Sequence, residues 1–304
     1  MTKPVETAVG RTSRLRIWWL AIRPATLTIS LAPVLVGASL AWHDSERVLW
    51  IPFALAAAAA LLIQIGTNLY NDVGDFERGA DRAERLGPPR AVSSGWLGPA
   101  EVRGAVRVVF GLALAVGAWL VWYGGWPILL LGLASIVAGI AYTGGPRPIA
   151  YTATGELFVF VFFGLVAVLG TYYLQTLAWS WAGVLAATMI GALAAAVIVV
   201  NNYRDLDNDR SVGKRTFAVR VGRAWSRTEF VALLALPYFL LMPLGRIMHA
   251  GWWLLLPACS LPMAAWIATR FVRERPGPGF NRILADTAQL QLIFSCLLAV
   301  AFLL

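Results

Sequence analysis

An all-α, polytopic membrane bundle of about nine transmembrane helices is the fold this chain predicts, on three observations. The 304 residues are 59% hydrophobic and only 13% charged, too little polar surface for a soluble protein of that length. Apolar runs of sixteen to twenty-odd residues recur along nearly the whole chain. Such runs suit helices crossing a ~30 Å hydrocarbon layer and are too long for barrel strands. The connections also alternate: brief after the first, third, fifth and seventh runs, long and rich in Arg after the second and sixth.

Residues 1–20, MTKPVETAVGRTSRLRIWWL, are basic and lack an apolar core ending in a small-residue cleavage site. That predicts a retained cytoplasmic arm and not a signal peptide. A brief connection joins the first run, 21–42, to the second, 49–70, which opens into a polar segment. The third, 102–122, passes through YGGW at 123–126 into the fourth, 127–142. The fifth, 157–177, is joined briefly to the sixth, 181–200, and a second polar segment follows. The seventh, 230–244, is short like the fourth, and both contain or adjoin Gly and Pro. The eighth, 252–271, and ninth, 286–304, complete the set, and 1–304 reads as a single transmembrane domain.

With the arm placed inside, 23 of the 25 Lys and Arg fall on the cytoplasmic side, and only Arg47 and Arg246 fall outside. This bias orients the chain with its N-terminus in the cytoplasm of a cell whose inner membrane it spans. It also accounts for the net charge of +9. No basic module interleaved with aromatics points to nucleic acid, and the basic loops suit the anionic surface of the lipid bilayer. Cys259 and Cys296 lie in apolar runs without metal-ligand spacing, and read as small packing residues.

Many of the sixteen Asp and Glu gather in NLYNDVGDFERGAD at 68–81 and NNYRDLDNDRSVGKRT at 201–216. Asn68 precedes Asp72 by four, with Asp75 three later and Gly79 four after that; Asn201, Asp205, Asp209 and Gly213 repeat the pattern in steps of four. Such steps place the polar groups on one helix face. The recurrence relates runs one to four to runs five to eight, with a polar site between the halves. Two carboxylates ~6 Å apart repel by roughly 3 kcal/mol at an effective dielectric near 20. Magnesium, a hard cation that takes carboxylate oxygens and keeps positions open for phosphate, removes that repulsion. Arg78, Arg90, Arg204, Lys214 and Arg215 add positive charge suited to a diphosphate. One such helix end would read as capping and solvated charge, whereas two matching ends read as a site. The residues therefore describe a membrane enzyme or a carrier holding a magnesium-diphosphate at its cytoplasmic mouth, with an apolar cavity behind.

Further stretches are RPATLTISLAPVLVG at 23–37, GPPRAVSSG at 87–95, AYTGGPRPIAYTATGELFVFVFFGLVAVLGTYYLQT at 141–176 and NNYRDLDNDRSVGKRTFAVRVG at 201–222. With these and the 68–81 motif the chain resembles the UbiA-type intramembrane prenyltransferases, and within them the branch acting on 1,4-dihydroxy-2-naphthoate in menaquinone synthesis. The resemblance implies transfer of a polyprenyl chain from polyprenyl diphosphate to that acceptor with loss of CO2. It implies Mg2+ held by Asp72, Asp75, Asp205 and Asp209, with Asn68 and Asn201 ligating or orienting them. Arg23, Arg90, Lys214 and Arg215 become candidates for the phosphate oxygens. Tyr142 and Arg147 fall where relatives place a Tyr and a basic residue near diphosphate and acceptor; their plainer reading is an interfacial aromatic and a positive-inside charge. Gly79 stands where the wider superfamily often has a third Asp, and Asp81 lies two further on.

The run FVFVFF at 158–163 is expected to face lipid or neighbouring helices, and His43 and His249 to lie in external connections away from catalysis. Glu156 reads equally as a site residue or as a favourable charge at a helix N-terminus. Two alternatives stay open: another aromatic acceptor, such as 4-hydroxybenzoate or homogentisate, and a transporter. Against the transporter, the acidic groups cluster at one membrane face and not at the midplane.

Overall fold

The computed structural model describes residues 13–80 and 86–304; Asp81 and most of the N-terminal arm lie outside them. The described residues form ten main helices and no strand: α1 (Arg14–Ala21), α2 (Pro24–Ser45), α3 (Trp50–Glu77), α4 (Pro99–Gly124), α5 (Trp126–Thr143), α6 (Gly155–Thr176), α7 (Trp181–Ser211), α8 (Phe217–Met248), α9 (Trp252–Arg273) and α10 (Phe280–Leu303). Nine of these, α2 to α10, are long and apolar enough to cross a membrane.

The largest departures from the expected spans carry the site. α3 runs 28 residues and α7 runs 31, past the expected ends at 70 and 200. At 1.5 Å per residue they measure about 42 and 46 Å. Both therefore carry their Asn/Asp motifs as helix beyond a ~30 Å hydrocarbon layer. Both also stop in the same way. Gly79 (φ +64°) and Gly213 (φ +78°) take left-handed backbone, and the next amide reaches back to the carbonyl of the motif aspartate. Ala80 N–H donates to Asp75 O and Lys214 N–H to Asp209 O, each at 2.9 Å. This is a glycine-terminated Schellman stop. The glycine shared by the two motifs thus ends the helix and sets Lys214 beside Asp209.

α8 begins at Phe217, well before the expected 230, capped by the Thr216 hydroxyl and broken at Gly222 (φ +81°). α10 begins at Phe280 rather than 286. α3 to α5 pack as one group and α6 to α9 as a second; α2 packs against α3 in the first and against α6 and α7 in the second, and α10 packs against α2, α7 and α9. α7 is the most buried span, and its alanine-rich middle lets neighbouring backbones approach closely. At the α6–α7 crossing Gly164 meets Gly191, where an added Cβ on Gly164 would fall 2.5 Å from the Ala187 carbonyl. Within α6, residues Phe160–Leu169 widen into π-helical turns, a feature frequent at functional sites. Cys259 and Cys296 are exposed on the outside of the bundle, so they do not serve as packing residues.

Candidate functional site

A cavity of about 690 Å³ lies between the two helix groups, with the motif ends of α3 and α7 at its mouth. Apolar side chains such as Ile63, Leu129, Phe158, Phe162 and Ile198 line its depth. The FVFVFF run thus departs from its expected position: Phe158, Phe162 and Phe163 face the cavity, and the first two stack at 5.9 Å. Phe162 and Phe163 lie in the π-helical turns, and Phe158 in the α-helical turn before them.

On α3, Asn68 Nδ2 donates to Ile22 O and to the Thr26 hydroxyl, both at 2.9 Å, while its Oδ1 accepts from Gln64. Asn68 thereby pins the turn at Arg23, whose left-handed backbone (φ +54°) starts α2 at the cavity wall. Asn71 accepts the Thr143 hydroxyl at 2.7 Å, and its carbonyl accepts from Arg90 at 2.9 Å. Asp75 receives Arg90 at 2.6 Å and the Tyr151 hydroxyl at 3.0 Å. Asp72 points elsewhere. It is buried, its Oδ2 accepts Ala91 N–H at 3.0 Å, and its Oδ1 has no partner among the described residues.

On α7, Arg204 grips Asp205 through two bonds of 2.8 and 2.6 Å and also donates to Asn201 and Asn281. Arg204 is therefore tied up by its own helix and by α10, and does not supply charge for a phosphate. Asp209 has Lys214 Nζ at 3.5 Å; the same ammonium lies 4.0 Å from Asp75 and 4.6 Å over the Tyr151 ring. One lysine thus joins the two motif helices across the mouth. Burial, with Asp75 beside it, pushes the Tyr151 hydroxyl well above the ordinary tyrosine range, so it remains a donor.

Of the residues singled out from the sequence, Asn68, Asp75, Asp205, Asp209, Asn201, Arg23, Arg90, Tyr142 and Lys214 share the cavity wall. Asp72 sits behind it. Arg147 and Arg215 are exposed on neighbouring loops, and only the Arg215 backbone N–H is engaged, on Tyr151 O at 2.9 Å. Arg78 donates to Gly145 O at 2.8 Å and holds that loop. Asn71, Thr143, Tyr151 and Asn202 escaped the sequence reading. Asn71 and Asn202 each flank a residue of the spacing pattern, the only cue available, and Thr143 and Tyr151 had no periodicity to mark them. Among the described residues no three Asp, Glu, His or Cys close on one point, because Arg90 and Lys214 stand between the carboxylates.

Residues 30–283 match the UbiA prenyltransferase family. The chain belongs to that family. It is 33% identical over 298 residues to the 1,4-dihydroxy-2-naphthoate octaprenyltransferase of Bacillus subtilis (strain 168), covering 98% of this chain and 96% of that one. It is 37% identical over 285 residues to the protein of the same name from Mycobacterium tuberculosis (strain ATCC 25618 / H37Rv), covering 93% and 95%. A UbiA homolog from Archaeoglobus fulgidus bound to GPP and Mg2+ shares the fold with a TM-score of 0.71 at 16% identity, over 95% of this chain and 100% of that one. Membership makes this chain a multi-pass membrane prenyltransferase and closes the carrier alternative.

Proposed function

We propose that the protein transfers a polyprenyl chain from polyprenyl diphosphate to a ring carbon of 1,4-dihydroxy-2-naphthoate, with loss of CO2, giving demethylmenaquinone and diphosphate. One observation carries the reading: nearly full-length identity of 33% and 37% to relatives named for that acceptor. The whole chain acts as one domain in the inner membrane, its mouth opening to the cytoplasm as the Lys/Arg bias directs.

Magnesium suits the mouth by the chemistry of its donors. Asp75, Asp205 and Asp209 offer hard oxygens from two helices, and the pocket already accommodates the positive charge of Lys214 against two of them. Bound there, magnesium would neutralise the leaving diphosphate. The diphosphate oxygens only accept hydrogen bonds, and Lys214, Arg90 and Arg23 would donate to them. Tyr151 holds Asp75 in place as these partners exchange. Phe158, Phe162 and Phe163 offer ring faces to the allylic cation, and the apolar wall keeps water from it.

Membranes containing the protein should convert 1,4-dihydroxy-2-naphthoate and a prenyl diphosphate to a decarboxylated product, with diphosphate released only when both are present. Equal or better turnover of 4-hydroxybenzoate or homogentisate would move the protein to another acceptor class.

A further inference from the structure

Asn202 lines the cavity from α7, and Glu156 packs behind it from the first turn of α6. Both are buried, and Asn202 Nδ2 donates to Glu156 Oε1 at 2.7 Å. Oε1 accepts that bond, so the carboxyl group holds the NH2 end of the carboxamide and fixes its orientation. The Asn202 oxygen takes no hydrogen bond from the described residues and is left for the cavity. Glu156 Oε2 is buried without a partner among the described residues. A carboxyl group buried with one oxygen left unpartnered is a poor device for stability, and a well-packed apolar residue there would serve the fold as well or better. Its presence fits a role in orienting Asn202.

A bare carboxamide oxygen repels a diphosphate, whose own oxygens need donors; Arg90 and Lys214 provide these around Asp75 and Asp209. The other substrate class differs, because an aromatic acceptor carries hydroxyl donors. Resting on the function proposed above, we propose that Asn202 accepts a hydrogen bond from a ring hydroxyl of the aromatic acceptor, with Glu156 as the residue that positions it. The pair selects and orients the acceptor and leaves the donor diphosphate to the cationic side of the mouth.

The test is steady-state kinetics with 1,4-dihydroxy-2-naphthoate and a prenyl diphosphate for wild type, Asn202→Leu and Glu156→Gln. Inhibition by 1-hydroxy-2-naphthoate and by 4-hydroxy-2-naphthoate, each lacking one hydroxyl, is measured alongside. In Asn202→Leu the KM for the acceptor should rise about tenfold, the loss of one hydrogen bond. The KM for prenyl diphosphate and the magnesium requirement should hold. The wild type's preference between the two inhibitors should vanish. Glu156→Gln keeps the shape but lets the amide turn either way, and should raise the acceptor KM about threefold. A raised magnesium requirement or donor KM would overturn the inference by placing the Asn202 oxygen on the metal or diphosphate. An unchanged acceptor KM, or a retained inhibitor preference, would overturn it too. If Asn202→Leu does not fold, the same measurements on Glu156→Gln decide. A wild type that ignores 1,4-dihydroxy-2-naphthoate refutes the proposed function, whereas a wild type that uses it, with variants of unaltered acceptor KM, refutes only this inference.

Discussion

Replacing Lys214 with Met removes the one ammonium among the described residues that touches both motif helices. Its Nζ lies 3.5 Å from Asp209 and 4.0 Å from Asp75, so those two oxygens are no more than about 7.5 Å apart. At an effective dielectric near 20 they repel by about 2 kcal/mol or more at that separation. Asp75 keeps Arg90, but Asp209 is left buried without its countercharge. Removing one partner of a buried pair costs about 3–5 kcal/mol. Metal-free Lys214→Met should therefore unfold at a distinctly lower temperature than wild type in the same detergent. Added magnesium should recover most of the deficit, because a divalent ion restores the missing charge between the carboxylates, and binding to the folded state alone stabilises it. The assay is thermal unfolding of both proteins across a magnesium titration, with calcium and potassium as controls. Equal unfolding temperatures without metal, or an equal response to magnesium in the two proteins, would refute the view that Lys214 occupies a cation site between the helices.

Asp209→Asn should reduce prenyl transfer by at least ~100-fold, about 2.7 kcal/mol of barrier, and raise the magnesium requirement of the residual activity while the fold survives; a magnesium titration of activity checks it. Gly164→Leu should destabilise the bundle by about 1–3 kcal/mol or prevent assembly, since its Cβ meets the Ala187 carbonyl at 2.5 Å; thermal unfolding reads this directly. The Tyr151 hydroxyl has its pKa raised in the folded chain, so its contribution to stability is complete below the unfolded value of about 10 and declines as pH rises through the higher folded value. Tyr151→Phe should therefore lower stability at pH 8 and flatten its loss between pH 10 and 11, measured by unfolding at each pH. With the exposed Cys259 and Cys296 replaced by Ser, a cysteine at Ser211 should label only from the cytoplasm and one at His249 only from outside; the reverse pattern would invert the proposed topology.

Composition and run length were enough to count the spans, because a hydrocarbon layer demands about twenty apolar residues from any helix that crosses it. The Asn/Asp spacing in the two motifs was likewise enough to place them on helices at one end of the bundle, and the charge bias predicts the side that this end faces. Where those helices stop was also written locally, in Gly79 and Gly213, although the spacing pattern alone gave no sign that these glycines are terminators. What the side chains touch was not local. Spacings of three and four say that Asp72 and Asp75 share a broad face, yet a step of three turns the helix by 300°. The rotation of α3 against its neighbours then decides that Asp75 meets Arg90, Tyr151 and Lys214 while Asp72 meets the backbone of Ala91. Arg204 looked equivalent to Lys214 in the motif, but one helical turn carries it onto Asp205, Asn201 and Asn281, 77 positions away in sequence. The phenylalanines of α6 could be assigned to lipid or cavity only once the packing of α6 against its neighbours had set their direction. Hydropathy and spacing are properties of one helix at a time, whereas burial, pairing and the orientation of a carboxamide such as Asn202 arise where several helices meet.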